Sequence, residues 1–442
     1  MIPLRIVLSC LFMLAVLTVQ GQIEDIEFTR FELDNGLDVV LHEDHSSPIV
    51  AVTITYHVGS KNEDPERTGF AHFFEHLTFE KTENIGRDEF PKIVQNAGGR
   101  RNGFTSFDQT AYFEVLPSNQ FELGLWLESE RMMNVVIDSA GVENQRQVVK
   151  EEKKQRLDNR PYGSVSQQAF AHSYEKHPYR WTPIGKEQYI DRASIEEFRN
   201  FYQTYYVPNN AVLSIAGDID TKQAKKLVKK YFGNIPRGKK EMKRPNVEEP
   251  PQTEETRDTV YDNIQLPAVI QTYHAPEQGT DDFYALDMVT TLLSDGKSSR
   301  LYKKVVDEEE KALNVFSSMR GLEDPGLFFV FAIANRGVAV DSLEMAINQE
   351  VAKVRNNLIS GKEFKKLRNQ IENDFYSRKN NVRGKALALA NYQLFYDNPD
   401  LFNTELERYM NVTREDLKRV ANEYLVKENR TVLHYLPKSL KP

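Results

Sequence analysis

The segment His72-Phe-Phe-Glu75-His76 restricts this chain more than any other. It reads His-x-x-Glu-His, the reverse order of the commoner His-Glu-x-x-His metal motif. In a helix, residues four apart share a face, so His72 and His76 can hold one cation between them. Glu75 points the same way. Phe70, Phe73, Phe74 and Leu77 form the opposite stripe. The spacing therefore predicts a short helix buried on its apolar back, with Thr68 as its cap. Two imidazoles and a carboxylate buried without partners would cost on the order of 2–7 kcal/mol per group. A divalent cation removes that cost. Hydrogen-bonded core histidines are the plainer alternative.

Other features bound the class. The 442 residues, 40% of them apolar, suffice for two domains with ordinary cores. Net charge is −8 with both signs interspersed, which leaves no nucleic-acid footprint. Residues 1–21 read as a secretory signal, with Arg5 its only charge and an apolar run over Ile6–Val19. That run is short for a membrane span, although an uncleaved anchor remains an alternative. Cleavage after Gly21 would give a secreted or periplasmic chain with no stable membrane insertion. It would also remove Cys10, the sole cysteine, so a metal must be held by His and carboxylates.

Along the chain, strand-like runs at 28–33, 37–42 and 49–57 precede the motif helix. Asp34-Asn-Gly36 is a hairpin signal between the first two. Helices are expected at 87–97, 120–135, 142–157, 195–205 and 222–232, with strands at 105–116 and 211–217. Residues 236–255 are rich in Pro, Lys and Glu and read as a linker. A similar order of elements follows from 256 to 442, without a second His-x-x-Glu-His. The expected organisation is α+β, with a metal-binding domain over 22–235 and a second, related domain over 256–442.

On the helix expected at 142–157, Gln145, Val148, Val149, Glu152 and Arg156 fall on one stripe. Glu152 is then an inward carboxylate on a helix otherwise covered in charge. An ion pair with Arg156 and ligation of the motif's cation both remain open on this pattern.

Several segments, in order, resemble the insulinase/pitrilysin zinc metallopeptidases. They are Val58-Gly-Ser-Lys-Asn-Glu63, the motif helix, Ala97-Gly-Gly, Asn102-Gly-Phe-Thr-Ser106 with Asp108, Thr110 and Tyr112, and Val148-Val-Lys-Glu-Glu152. Asp158-Asn-Arg-Pro-Tyr-Gly163, Ile184-Gly185, Ala216-Gly-Asp218 and Gly296-x-Ser-Ser-Arg-Leu301 continue the match. The resemblance implies two similar domains, each a mostly antiparallel sheet covered by helices, in a short form like a mitochondrial-processing-peptidase subunit. It implies Zn2+ held by His72, His76 and Glu152, with Glu75 as the base of a peptide-hydrolysing enzyme working inside a closed chamber. Asn102, Gly103, Phe104, Thr105 and Ser106 correspond to the family's substrate-binding edge strand. Gln145 stands where many relatives have a second glutamate, which implies an outer role supporting the ligands.

One departure bears on partners. Active relatives carry an Arg and a Tyr beyond the Ser-Ser-Arg-Leu signature, and Val305–Val315 holds neither. A second family subunit supplying that pair, in a heterodimer, is expected ahead of a homodimer. A non-catalytic scaffolding or binding subunit is the competing reading.

Overall fold

A computed structural model describes residues 25–442, so the leader expected over 1–21 lies outside the described residues. In the first half the strands are β1 (Thr29–Glu32), β2 (Asp38–Glu43), β3 (Ile49–Tyr56), β4 (Arg100–Thr105), β5 (Thr110–Pro117) and β6 (Ala211–Gly217). Its helices are α1 (Phe70–Leu77), α2 (Glu89–Asn96), α3 (Phe121–Met133), α4 (Ser139–Lys153), α5 (Val165–Ser173), α6 (Glu187–Arg192), α7 (Ile195–Tyr205) and α8 (Thr221–Phe232). The second half has β7 (Thr256–Asp262), β8 (Ala268–His274), β9 (Ala312–Arg320), β10 (Leu327–Ala334) and β11 (Arg430–Pro437). Its helices are α9 (Asp281–Ser294), α10 (Val340–Asn356), α11 (Gly361–Arg378), α12 (Val382–Tyr396), α13 (Leu401–Asn411) and α14 (Arg414–Tyr424).

The two sheets share a topology. The first runs β1-β2-β6-β3-β5-β4 and the second β7-β11-β8-β10-β9. In each, the last strand of its half inserts centrally and makes the sheet's one parallel pairing, β2 with β6 and β7 with β11. All other pairings are antiparallel. The fold is α+β, two mostly antiparallel sheets covered by helices.

Each half lends a helix to the other. Every residue of β6 is buried, so that strand needs cover on both faces. Its outer cover is α12, whose Val382, Ala386, Leu389 and Ala390 pack on Val40, Ala51, Val212 and Ala216. Conversely, Ala169 of α5 packs with Ala268, Ile270, Leu433 and Tyr435 of the second sheet. Residues 236–255 contain neither helix nor strand. They are nonetheless pinned, since Glu249 accepts the backbone N–H groups of Glu175, Lys176 and His177 at 2.6–2.9 Å.

The expected apolar stripe of α1 is its buried face. Phe70 and Phe73 stack on Phe198, with ring centroids 4.8 and 4.6 Å apart, and Phe74 stacks on Phe201 at 5.4 Å. Each such ring stabilises by about 1.5–3 kcal/mol. The cap differs from expectation. Thr68 does not cap α1; its hydroxyl accepts from the Lys186 N–H. The buried Glu63 carboxylate accepts from Gly69 N at 2.9 Å and Ala71 N at 2.8 Å. Gly69 has φ +101°, a left-handed turn that carries the chain past this carboxylate.

Two other expectations change. The single strand read over 105–116 is the end of β4, a tight reversal at Ser106–Gln109, and β5. The Ser106 N–H donates to Gln109 O at 2.8 Å, and the Ser106 hydroxyl accepts from the Asp108 and Gln109 N–H groups. The turn residues kept the alternation of polarity going, which hid the break. Strands β7 and β9 were not anticipated, because both are edge strands with polar residues on one face.

Replacing Glu63 by Ala leaves two helix N–H groups unpaired. Glu63→Ala should lower the free energy of unfolding by about 1–2 kcal/mol in urea titrations. Glu63→Gln, which keeps one acceptor, should cost less.

Candidate metal centre and substrate cleft

Helix α1 presents His72 and His76 with ring centroids 4.9 Å apart. Helix α4 crosses in front of it and delivers Glu152. The Glu152 Oε2 lies 3.0 Å from His76 Nε2 and 3.6 Å from His72 Nε2. One donor atom from each of the three residues therefore lies within 4.8 Å of the others. The second carboxylate oxygen, Oε1, accepts from Arg156 at 2.7 Å. The ion pair and the cluster, alternatives in the sequence, coexist because each uses a different oxygen.

The electrostatics suit cation binding. Burial, with His76 nearby, lowers His72 to about 4, so its ring is neutral near pH 7. Burial pushes Glu152 up, but the His76 hydrogen bond, with His72 and Arg156 close by, outweighs it and holds the carboxyl low. The set is two imidazole nitrogens and one carboxylate oxygen, as three-ligand catalytic zinc sites use, with a further position left for water or substrate. His72 Nδ1 is buried without a hydrogen-bond partner among the described residues.

Glu75 sits beside this trio without joining it. Its Oε2 accepts from Thr105 Oγ1 at 2.7 Å. Burial raises its pKa, against the Thr105 bond and the His76 charge, which favours proton uptake. A Cβ at residue 103 would stand 3.1 Å from Glu75 Oε1, so glycine there keeps that oxygen accessible.

These groups line a cleft of about 780 Å³. Asn102, Gly103, Phe104 and Thr105 form its wall on β4, the outer strand of the first sheet. Ser106 is not part of that wall; its hydroxyl holds the β4–β5 turn. Gln145 does line the cleft, and its amide donates to Glu80 rather than to a histidine or Glu152.

Sequence reasoning missed several supports. Glu80 is buried and binds Arg87, Asn144 and Gln145. Its place four residues after His76 was the available signal. Arg131 is fully buried beneath the cleft. It pairs with Glu128 at 2.9 Å and donates to the Thr78 carbonyl at 3.3 Å, tying down the end of α1. Its guanidinium also faces the rings of Phe79, Phe90 and Tyr112 at 4.1–4.6 Å. A third support joins the halves. Lys61 Nζ lies 3.1 Å from Asp108, 2.5 Å from Glu323 and 2.9 Å from Asp324. These carboxylates outweigh burial and raise Lys61 to about 12.

Comparison with known proteins agrees with this geometry. Residues 38–181 match the family model described as Insulinase (Peptidase family M16), and residues 192–371 match the Peptidase M16 inactive domain. Zinc protease PqqE of Helicobacter pylori is 33% identical over 409 residues, covering 92% of each chain. The crystal structure of a protease from Helicobacter pylori matches with a TM-score of 0.89 at 31% identity, over 93% of this chain and 100% of that one. The periplasmic protease PqqL from Escherichia coli shares the fold, with a TM-score of 0.77 at 19% identity; the match covers 94% of this chain and 49% of PqqL. A match to PqqE of this identity and extent, on a chain of two like sheets, establishes that the protein belongs to the insulinase family of peptidases, family M16.

Proposed function

We propose that this chain is the metal-bearing subunit of a zinc-dependent endopeptidase that hydrolyses peptides or small proteins inside a closed chamber. The carrying observation is the meeting of His72, His76 and Glu152, with Glu75 beside them and outside the donor set. A structural zinc site fills four positions with ligands and has no use for an adjacent base.

His72 Nε2, His76 Nε2 and Glu152 Oε2 would hold the ion, and Arg156 orients Glu152 through its other oxygen. Bound zinc supplies Lewis acidity toward water and toward the scissile carbonyl. Glu75 accepts a proton from the attacking water, with Oε2 steadied by Thr105, and returns it to the leaving amine. The open edge of β4 offers backbone N–H and C=O groups to an extended peptide, which would lie along Asn102–Thr105 as an added strand.

Two further parts of the proposal concern context. Residues 305–315 lack the Arg and Tyr of active relatives, and the chain matches about half of PqqL, so a second family subunit is proposed to complete the chamber. Secretion to the periplasm is proposed from the apolar leader of the sequence and from PqqL, itself a periplasmic protease. No helix among the described residues is long and apolar enough to cross a membrane.

Glu75→Gln should retain one zinc per chain by elemental analysis while cleavage of a quenched peptide mixture falls by about 10²–10⁴-fold. Glu152→Gln should lose the metal itself. Cleavage by Glu75→Gln at the unmodified rate would remove Glu75 as base and favour the scaffolding reading.

The partner proposal has its own check. Mixing the chain with a family subunit that carries the Arg–Tyr pair should raise cleavage at least tenfold over the chain alone. Full activity of an isolated homodimer would refute it.

A further inference from the structure

Two cations line the cleft, and they are differently employed. Arg156 is engaged with Glu152. Arg101 makes no hydrogen bond or ion pair among the described residues; its guanidinium lies 4.3 Å above the Phe79 ring. It stands on β4, where side chains alternate between faces. Thr105 reaches Glu75, and a Cβ at 103 would point at Glu75 as well, so Arg101 is two residues further along that same face. It is half-buried in the cleft wall rather than a solvated surface charge.

The setting beneath Arg101 gives it no ion pair among the described residues. Phe79 separates it from Arg131, which lies 4.1 Å from the same ring. Glu114 pairs with Arg101 in the β4–β5 register, but its side chain is fully buried and directed at Arg131. Burial, then the neighbouring Glu128, pushes the Glu114 carboxyl up, and its Oε2 has no hydrogen-bond partner among the described residues. Of the cleft acids outside the catalytic group, Glu80 is engaged by Arg87, Asn144 and Gln145, and Asp88 lies exposed without an ion pair to Arg101.

We propose that Arg101 is a specificity-determining residue that selects an aspartate or glutamate side chain of the substrate, seated against the guanidinium where it lies over Phe79. The inference rests on the peptidase reading above, since it assumes a peptide laid along β4. Substrate residues two apart on one face of an added strand are about 7 Å apart. A side chain two positions from the one opposite Gly103 therefore meets Arg101. A carboxylate there can take paired hydrogen bonds from the planar guanidinium. A neutral amide would leave that half-buried cation unmatched.

The test separates binding from cleavage. Zinc-loaded Glu75→Gln protein is titrated with fluorescent, C-terminally amidated peptides that differ only by Glu or Gln at each position, read by anisotropy. Glu should bind about tenfold tighter than Gln at one position. Arg101→Gln in the same background should bring that ratio near one with an unchanged melting temperature. Arg100→Gln, on the opposite face of β4, should keep it. No charge preference at any position, an equal preference in Arg101→Gln, or a preference seen only with a free C-terminal carboxylate would each overturn the proposal. In parallel, the unmodified chain, mixed with a family subunit that carries the Arg–Tyr pair, is given a positional peptide library. Acid preference in binding without any cleavage would leave the subsite standing and remove the hydrolytic reading. Cleavage indifferent to acid would do the reverse.

Discussion

The approach of one carboxylate to two imidazoles governs the rest of this molecule. Glu152 comes from a helix far along the chain from His72 and His76, yet its Oε2 stands 3.0 Å from His76 Nε2. That proximity requires α1 to be held at both ends and along its back. Glu63 takes the first N–H groups, Arg131 takes the Thr78 carbonyl, and Phe198 and Phe201 receive the phenylalanine stripe. A helix of eight residues has little stability of its own, so these tertiary contacts maintain it.

Burial sorts the carboxylates of this region into different roles. Glu63 is raised to about 8 by burial even though backbone N–H groups favour its anion. Glu75 is raised by the same cause. Glu152 is held low because imidazoles and Arg156 surround it. One residue type thus provides a helix cap, the proposed proton acceptor and the proposed anionic donor, and the environment decides which.

The second half carries no metal motif but shapes the cleft's surroundings. The exchange of α5 and α12 between sheets locks the two halves together through apolar packing. The Lys61 cluster adds a polar clasp where Glu323 and Asp324 meet Asp108, at the turn that ends β4. A lysine this buried is costly unless paired, and three carboxylates meet that requirement. The wall proposed to receive a peptide is therefore positioned partly by the half that lacks the His-x-x-Glu-His motif.

The sequence alone determined the local features. Helical spacing identified the faces of α1 and the inward position of Glu152, and the resemblance supplied the ligand set and the paired α+β domains. These were legible because helical periodicity and short motifs act within a few residues. It did not determine that Glu63 rather than Thr68 caps α1, that Gln145 binds Glu80, or that Ser106 turns away from the cleft. Nor did it disclose the exchanged helices, the buried Arg131, or the unpaired Arg101 beside Phe79. Each of those depends on which distant segments meet, and on how burial weights a charge once they do. Only the packed tertiary structure settles that.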